Sequence, residues 1–371
     1  MLIQNAKAFI DGKFQEKTDL LIRDGRISAI GTGLAAEGEE LLDLGGDLLL
    51  PGFVDVHIHA FKGMDAMQGE EAVRHMSREL KKVGVAAFLP TTMSASPEDT
   101  VKALAGVKAV MERPEPDGAI VLGAHMEAPF LAEAKAGAQL KQYFADPNEE
   151  NWQRYTGGLE SVVRLITMAP ERAGAMEFIS ALTKKGITVS IGHTTADAET
   201  THAAAEAGAT HVTHTFNAQT PLNHRAPGVP GAALVDDRLQ CEVISDGIHL
   251  HPDVVKLIIR TKGKEKLVAI TDAMEAAGMP DGQYQLGGQE VFVHEGAARL
   301  KDGTLAGSTL TMIRAFQNLI RFGATPEEAA LMTTKTPALS IGNEELGEIE
   351  LGAPAIFSRF DENYAVKGTV G

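Results

Sequence analysis

The chain has 371 residues, 44% of them hydrophobic and 23% charged, which is the composition of a folded protein and excludes a mostly disordered chain. Its 34 Lys and Arg residues and 50 Asp and Glu residues give a formal net charge of −16, which argues against nucleic acid or an anionic membrane as the main partner. The single cysteine, Cys241, excludes an intrachain disulfide, and the lack of a signal-peptide pattern or a long apolar run predicts a cytoplasmic protein without membrane attachment.

Both ends of the chain have β character. Near the N-terminus, short apolar runs are separated by Asp-Gly pairs at residues 11 and 24, and Asp-Gly between apolar runs is a strong hairpin signal. The final segment again predicts a turn followed by two strands. We expect residues 1–50 and 343–371 to meet in one small β-sandwich lobe beside a larger domain, 51–342.

From Pro51 the pattern changes to apolar strands that alternate with helix-like stretches. Eight strands are predicted, over residues 52–59, 85–92, 119–127, 162–168, 187–193, 211–214, 241–245 and 267–272. The predicted helices include 70–82, 97–111, 252–260, 308–322 and 325–334. Continuous apolar strands covered by helices indicate a parallel sheet, and eight repeats fit a TIM-type (β/α)₈ barrel of the α/β class.

Polar residues stand where most of these strands end. In a parallel barrel the C-terminal strand ends share one face, and that face carries the active site. His57 and His59 are two residues apart, so both point to one side of the first strand, into the barrel mouth. A lone His at a strand end is more often a hydrogen-bonding group than a metal ligand, but this set of imidazole and carboxylate groups predicts a metal site. The candidate ligands are His57, His59, Glu127, His193, His214 and Asp272.

These ligands offer nitrogen and oxygen without sulfur, which suits Zn²⁺, Fe²⁺, Mn²⁺ or Co²⁺ without choosing among them. With two metals, the two histidines of the first strand and Asp272 hold one ion, His193 and His214 hold the other, and Glu127 bridges them. A single metal held by Glu127, His193 and His214 fits equally well. A divalent metal lowers the pKa of a bound water from 15.7 to about 7, and Asp272 can then act as general base and general acid in the hydrolysis of a carbonyl-type bond.

Several segments carry a resemblance to a known family. The first barrel strand, Pro51 to His59, resembles that of the amidohydrolase superfamily. Within that superfamily, five segments resemble those of the N-acetylglucosamine-6-phosphate deacetylases. They are HMEAPF at 125–130, HVTHTFNA at 211–218, PLNHRAPG at 221–228, SDGIH at 245–249 and LAGS at 305–308. The resemblance covers nearly the whole chain, and the combination of motifs is specific.

The resemblance implies a homodimeric hydrolase, dependent on Zn or Fe, that removes the acetyl group from N-acetylglucosamine-6-phosphate by attack of metal-bound hydroxide. It implies that Glu127, His193 and His214 are the primary metal ligands and that Asp272 is the catalytic acid and base. His57 and His59 add a second metal position. The substrate-binding residues that it implies are Gln139, Asn217, Ala218, Arg225, His249, Leu305, Ala306 and Gly307.

The resemblance also implies roles within the substrate site. Gln139 stands where some relatives have a His that polarises the carbonyl group. Asn217 and Ala218 bind the sugar phosphate, His249 contacts the sugar, and residues 305–307 line the acetyl pocket. Arg225 pairs with the phosphate, either from the same chain or from a partner subunit.

Binding a sugar phosphate requires a local cation in this acidic protein. A net charge of −16 repels the substrate at long range, but screening over about 8 Å lets local groups dominate at contact. His224 and Arg225 are the candidates, because Arg presents a fork that matches phosphate. The alternative interpretation is an ordinary surface salt bridge.

Three positions depart from the family's pattern. Ala128 stands where relatives have Gly, Thr215 where they have Leu, and Gln219 where they have Met. A methyl group at position 128 is costly if the backbone there needs a positive φ. The alternatives that stay open are N-acetylgalactosamine-6-phosphate as substrate, another N-acyl amidohydrolase activity, and a barrel without catalytic activity.

Overall fold

The structure is a computed structural model that describes residues 1–35 and 38–371. Its strands are β1 (Leu2–Ile10), β2 (Lys13–Arg23), β3 (Arg26–Gly31), β4 (Leu41–Asp43), β5 (Leu48–Pro51), β6 (Phe53–Ile58), β7 (Ala60–Phe61), β8 (Met64–Asp65), β9 (Val85–Thr92), β10 (Ile120–Val121), β11 (Ala124–Met126), β12 (Val163–Met168), β13 (Thr188–Ile191), β14 (His211–Val212), β15 (Gln240–Ile244), β16 (Leu267–Ile270), β17 (Gly282–Leu286), β18 (Gln289–His294), β19 (Ala297–Arg299), β20 (Phe357–Phe360) and β21 (Val366–Val370). Its helices are α1 (Glu70–Lys81), α2 (Pro97–Glu112), α3 (Glu149–Thr156), α4 (Ala175–Lys184), α5 (Ala198–Ala207), α6 (Gly228–Val235), α7 (Pro252–Lys262), α8 (Met312–Phe322), α9 (Pro326–Thr333) and α10 (Lys335–Ser340). None of these helices is long and apolar enough to cross a membrane.

The central element is a parallel barrel, which confirms the predicted fold. Its strands follow in chain order from β6 and β9 to β16, and β10 and β11 are two parts of one barrel strand because both pair with β9. The barrel closes between its last and first strands. There the amide of Asp272 donates to the carbonyl oxygen of His57 at 2.8 Å, and Ile58 pairs with Ala273.

Alternation along the strands separates two apolar layers. Val54 and Val56 of β6, with Ile244 of β15, belong to the core inside the barrel. The intervening residues pack outward against the helices, as Phe53 and Val243 do. The helix α1 packs against the barrel with one face, on which the buried apolar residues recur at helical spacing, at Ala72, Val73, Met76 and Leu80.

The two ends of the chain build the expected lobe. Their described residues form one seven-stranded sheet, in which β1 pairs with β2, β4 and β5, and β20 pairs with β5. The lobe has its own apolar core, with Ile3, Leu20, Leu49 and Phe357 among its buried members. The division into 1–50 plus 343–371 and 51–342 stays a prediction; the sheet of the lobe extends to Pro51 at the end of β5.

Two features near the last barrel strand were not predicted. The strands β17, β18 and β19 form a separate antiparallel sheet inserted between β16 and α8. The helix expected over 308–322 begins only at Met312, capped by the side chain of Thr311. Ser308 is extended instead, because its amide donates to the carbonyl oxygen of Asp272 at 2.7 Å and its hydroxyl donates to that of Thr271 at 2.5 Å.

Candidate active site

The six candidate ligands converge at the mouth of the barrel. His57 lies in β6 and His59 just after it, Glu127 follows β11, and His193, His214 and Asp272 follow β13, β14 and β16. Every one of them is buried. The sequence-based expectation that strand ends share one face therefore brings these side chains together.

Glu127 is the centre of a first group of ligands, which we call the His193 group: Glu127, His193 and His214. Oε1 of Glu127 lies 3.1 Å from Nε2 of His193 and 3.1 Å from Nε2 of His214. The two ring nitrogens are 3.1 Å apart. These atoms are close enough to bind one metal ion together.

Glu127 also belongs to a second group, the His57 group: His57, His59 and Glu127. Oε2 of Glu127 lies 3.3 Å from Nε2 of His59, and Oε1 lies 3.5 Å from Nε2 of His57. Asp272 faces the same two rings, at 3.1 Å from His59 and 3.5 Å from His57. Because Glu127 is shared, the geometry accommodates either one metal or two.

The hydrogen bonds of the histidine Nδ1 atoms indicate which ring nitrogens are available to a cation. Nδ1 of His57 lies 3.1 Å from a carboxylate oxygen of Glu242. Nδ1 of His59 and of His193 face main-chain carbonyl oxygens at 3.3 and 2.8 Å. In the neutral form of each ring we assign the proton to Nδ1 because its partner only accepts, so each Nε2 then carries a lone pair. A lone pair facing a carboxylate is repulsive unless a positive charge lies between them, and the donor set fits a divalent metal.

The pKa values of these groups are shifted in the directions that favour positive charge on the rings and negative charge on Glu127. Burial by itself lowers the pKa of His59, but hydrogen bonds to Asp272 and Glu127 raise it to about 9. Burial likewise opposes the charged form of His57, yet Asp272 and Glu127 hold its pKa well above the ordinary value. Burial raises the pKa of Glu127, but the facing histidines hold it well below its usual range.

The backbone is strained where three of these ligands leave their strands. His193, His214 and Asp272 have positive φ angles of 47°, 27° and 49°. Residues other than glycine rarely adopt this region, at a cost of about 1–3 kcal/mol each, and such residues cluster at active sites. The fold therefore holds these candidate ligands in backbone conformations that they would rarely adopt alone.

A cavity of about 300 Å³ opens above the ligands. All six candidate ligands except His57 line this cavity. Six of the expected substrate residues also line it: Gln139, Asn217, Ala218, His249, Leu305 and Gly307. The cavity is at the small end of the range typical of small-molecule sites, and the ligand cluster forms its floor.

Three expected substrate residues lie elsewhere. Ala306 is buried among apolar residues that include Met93 and Met274, and its side chain does not line the cavity. His224 and Arg225 lie in an exposed loop over residues 221–227, outside the cavity of their own chain. The alternation of the chain explains Ala306, because its neighbours Leu305 and Gly307 do face the cavity.

Sequence reasoning missed several residues of the cavity wall. Lys135 lines the cavity, and its carbonyl oxygen accepts from Nδ1 of His193. Leu286 and Thr304 come from β17 and from the turn after β19, beside the mouth. The pairs Gly287-Gly288 and Glu295-Gly296 are hairpin signals that the sequence does contain, and they predict this small sheet when read as turns.

Comparison with known proteins decides the family. The model of the Amidohydrolase family matches residues 48–370. The chain belongs to the amidohydrolase family. An N-acetylglucosamine-6-phosphate deacetylase from Lysinibacillus sphaericus is 36% identical over 377 residues, covering 100% of this chain and 96% of the relative. An N-acetylgalactosamine-6-phosphate deacetylase from Escherichia coli O157:H7 is 36% identical over 355 residues, covering 94% and 92%.

A solved structure agrees with these relatives. The chain is similar to an N-acetyl-D-glucosamine-6-phosphate deacetylase variant from Mycobacterium smegmatis, determined in complex with N-acetyl-D-glucosamine-6-phosphate. The TM-score is 0.92 at 31% identity, covering 100% of this chain and 97% of that one. The amidohydrolase fold of the chain is therefore shared over its whole length, lobe included.

The departures from the family's pattern lie outside the cavity of this amidohydrolase. Ala128 does not have a positive φ, so its methyl group causes no strain of that kind. Gln219 is buried, donating to the carbonyl oxygen of Thr213 at 2.7 Å and accepting from the amide of Phe216 at 3.1 Å. Thr215 is buried as well. None of the three lines the cavity, so none contacts a molecule bound there directly.

Two polar side chains of the cavity are held in fixed orientations. Oε1 of Gln139 accepts from the amide of Ser94 at 2.7 Å, so its Nε2 donates toward Glu127. Nδ1 of His249 lies 2.7 Å from a carboxylate oxygen of Asp246. With Nδ1 thus engaged, the Nε2 edge of His249 is the one left for a ligand in the cavity.

Proposed function

We propose that the protein is a metal-dependent deacetylase that hydrolyses N-acetylglucosamine-6-phosphate to glucosamine-6-phosphate and acetate. The observation that carries the proposal is the buried cluster centred on Glu127 beneath a cavity of about 300 Å³. The names of relatives that match this chain over its full length support the substrate.

One or two ions, of zinc or ferrous iron, would be held by the His193 group and the His57 group. A bound divalent metal polarises a carbonyl group and lowers the pKa of water. Asp272 is the general base and then the general acid, because it lines the cavity and faces the rings of His57 and His59. Burial raises the pKa of Asp272, but His57 and His59 lower it below its ordinary value, so the side chain is an ionised carboxylate at neutral pH.

The substrate residues act by orientation. Gln139 presents its amide Nε2 at the cavity floor, where it can donate to the carbonyl oxygen of the acetyl group. Leu305 and Gly307 line the cavity together with Asp272 and form the acetyl pocket. Gly307 lies close to Asp272, since a Cβ built on it would be 3.0 Å from the carbonyl oxygen of Asp272. Asn217, Ala218 and His249 hold the sugar.

The phosphate group meets Lys135, a cation of the cavity wall, and Arg225 of a partner subunit. Arg225 is exposed and does not line the cavity of its own chain, which supports a homodimer in which this loop completes the site of the other subunit. His224 accompanies it in the same loop.

The test is acetate release from N-acetylglucosamine-6-phosphate by the metal-loaded protein, with N-acetylglucosamine in parallel. The Asp272→Asn variant is the control for contaminating activity. We expect turnover of the phosphate ester and little turnover of the free sugar. A metal-loaded protein that releases acetate from neither compound would contradict the proposal.

N-acetylgalactosamine-6-phosphate is the second candidate substrate. The relative from Escherichia coli O157:H7 that carries this name is as similar to the chain as the first-named deacetylase is, at 36% identity. The two sugars differ at one hydroxyl, so kcat/KM for the two phosphate esters, measured under the same conditions, distinguishes the candidates.

A further inference from the structure

A buried carboxylate lies below the metal groups, in the interior of the barrel. Glu242 is in the middle of β15 and is 0% exposed. Its neighbours Cys241 and Val243 pack outward, whereas Ile244, two residues on, belongs to the interior core. A carboxylate in such surroundings is costly unless hydrogen-bond donors satisfy it.

The partners of Glu242 are one residue from each metal group and His211, which belongs to neither group. Its Oε2 lies 3.1 Å from Nδ1 of His57 and accepts from the backbone amide of His214 at 3.3 Å. Its Oε1 lies 3.4 Å from Nδ1 of His211, whose Nε2 faces the carbonyl oxygen of Ser340 at 3.2 Å. Of the ligand rings, only that of His57 is held by a carboxylate through its Nδ1; His59 and His193 are held by main-chain carbonyl oxygens.

This contact has two consequences for His57. It keeps the proton on Nδ1, so Nε2 is free to bind a metal, and it fixes the plane of the ring. A negative partner also makes the ring a better electron donor than a carbonyl partner does. Among the described residues Nε2 of His57 has no hydrogen-bond partner, and the carboxylates of Glu127 and Asp272 face it at 3.5 Å.

We propose that Glu242 is a positioning residue that sustains metal binding by the His57 group, and that it acts through His57. This inference rests on the proposed function, because it requires that the chain holds metal at both groups. The His193 group does not depend on the charge of Glu242, since its contact with Glu242 is a backbone amide that a neutral oxygen can also accept from.

The test is the metal content of Glu242→Gln after dialysis against graded chelator, measured by mass spectrometry of the metal. Gln keeps the shape of the side chain and an oxygen for His57 and the His214 amide; it removes the negative charge and directs an NH2 group toward His211. We expect two ions per chain in the parent protein. In the variant we expect one of them to be lost at about ten- to hundredfold lower chelator concentration, with the other unchanged.

Three companion variants separate positioning from a general structural effect. His57→Gln is expected to lose the same ion, and adding Glu242→Gln to it is expected to change metal content no further. Thr167→Val is the matched control. Thr167 is a buried residue of the barrel strand β12, and its hydroxyl hydrogen-bonds to His125 and Thr213 and to no candidate ligand. It is expected to follow the parent curve. Thermal unfolding of each protein shows that it is folded.

Each outcome has one meaning. A parent protein that binds no metal overturns the proposed function and this inference with it. A parent with two ions whose chelator curve is unchanged by Glu242→Gln overturns the inference alone. A parent protein that binds a single ion, and keeps it when His57→Gln is introduced, also overturns the inference alone. The inference is likewise overturned if Glu242→Gln lowers metal retention as much in the His57→Gln variant as in the parent.

Discussion

Asp47 in the lobe and Glu127 in the barrel mouth are both buried carboxylates, and they differ in what surrounds them. Asp47 is met by the two cations Arg359 and Lys367, at 2.5 and 2.7 Å, which tie the C-terminal strands to the N-terminal part of the lobe. Glu127 contacts imidazole rings of its own barrel, and two of these rings, those of His57 and His59, also face the carboxylate of Asp272.

The difference shows how the two regions use charge. In the lobe the carboxylate is neutralised by side chains of the same chain, so the arrangement contributes to stability and needs nothing further. In the barrel mouth, carboxylates face the ring nitrogens of histidines, and a divalent cation bound between them would balance the negative charge. Substitutions in the mouth should therefore change the reaction, and those in the lobe should change the free energy of unfolding.

The largest effect expected is that of metal removal. Exhaustive dialysis against a chelator should reduce acetate release to background, because the proposed reaction depends on a metal ion bound by the residues around Glu127. Adding back Zn²⁺ or Fe²⁺ should restore activity in proportion to the metal bound. Full activity in protein shown to contain no metal would contradict the view that the carboxylates of the mouth, unlike Asp47 of the lobe, serve to bind a cation.

Asp272→Asn should have the next largest effect. Loss of a general acid and base costs about 10²–10⁴ in rate, and we expect kcat to fall within that range. Steady-state kinetics on the metal-loaded variant measures it, with Asp47→Asn as the matched lobe variant that keeps normal kcat. A variant at position 272 with unchanged kcat would assign the proton transfer to another residue.

Arg225→Ala should reduce kcat/KM for the phosphate ester by about 10–100-fold, the effect of losing a hydrogen-bonded charge pair. Mixed dimers locate the residue. When Arg225→Ala and Asp272→Asn subunits are mixed and reassembled, about one quarter of the sites should regain both groups if Arg225 serves the partner's site. If no activity returns on mixing, the arginine acts within its own chain.

Asp47→Asn should have the smallest effect, on stability alone. We expect a loss of about 1 kcal/mol at pH 7 in urea unfolding, since the two cations are partly exposed and screened. Glu149→Gln, which removes an exposed pair with Lys185, should lose less.

The pH dependence of the Asp47 contribution has a definite sign. Burial raises the pKa of Asp47, but Lys367 and Arg359 outweigh burial and lower it below its ordinary value. A lowered folded-state pKa stabilises the fold above the unfolded pKa of about 3.9, and this contribution disappears as the pH falls through the folded-state value. The difference between parent and Asp47→Asn should therefore shrink below about pH 4, whereas a constant difference would assign it to packing.

The sequence by itself determined the barrel and the set of candidate ligands. Apolar strands alternating with helices fit few other folds, and parallel strands bring their C-terminal ends to one face, so His57, Glu127 and His193 were predictable neighbours. The N-terminal hairpins of the lobe were also predictable, because Asp-Gly turns between apolar runs depend on local conformation alone.

Only the tertiary structure decided the rest, because it depends on contacts between segments far apart in the chain. It showed that Glu127 is shared between two ligand groups and that Lys135 joins the cavity wall while Ala306 does not. It also placed Glu242, 185 residues along the chain from His57, directly behind that ring. No local pattern specifies such a contact, since the closure of the barrel alone sets the distance between β6 and β15.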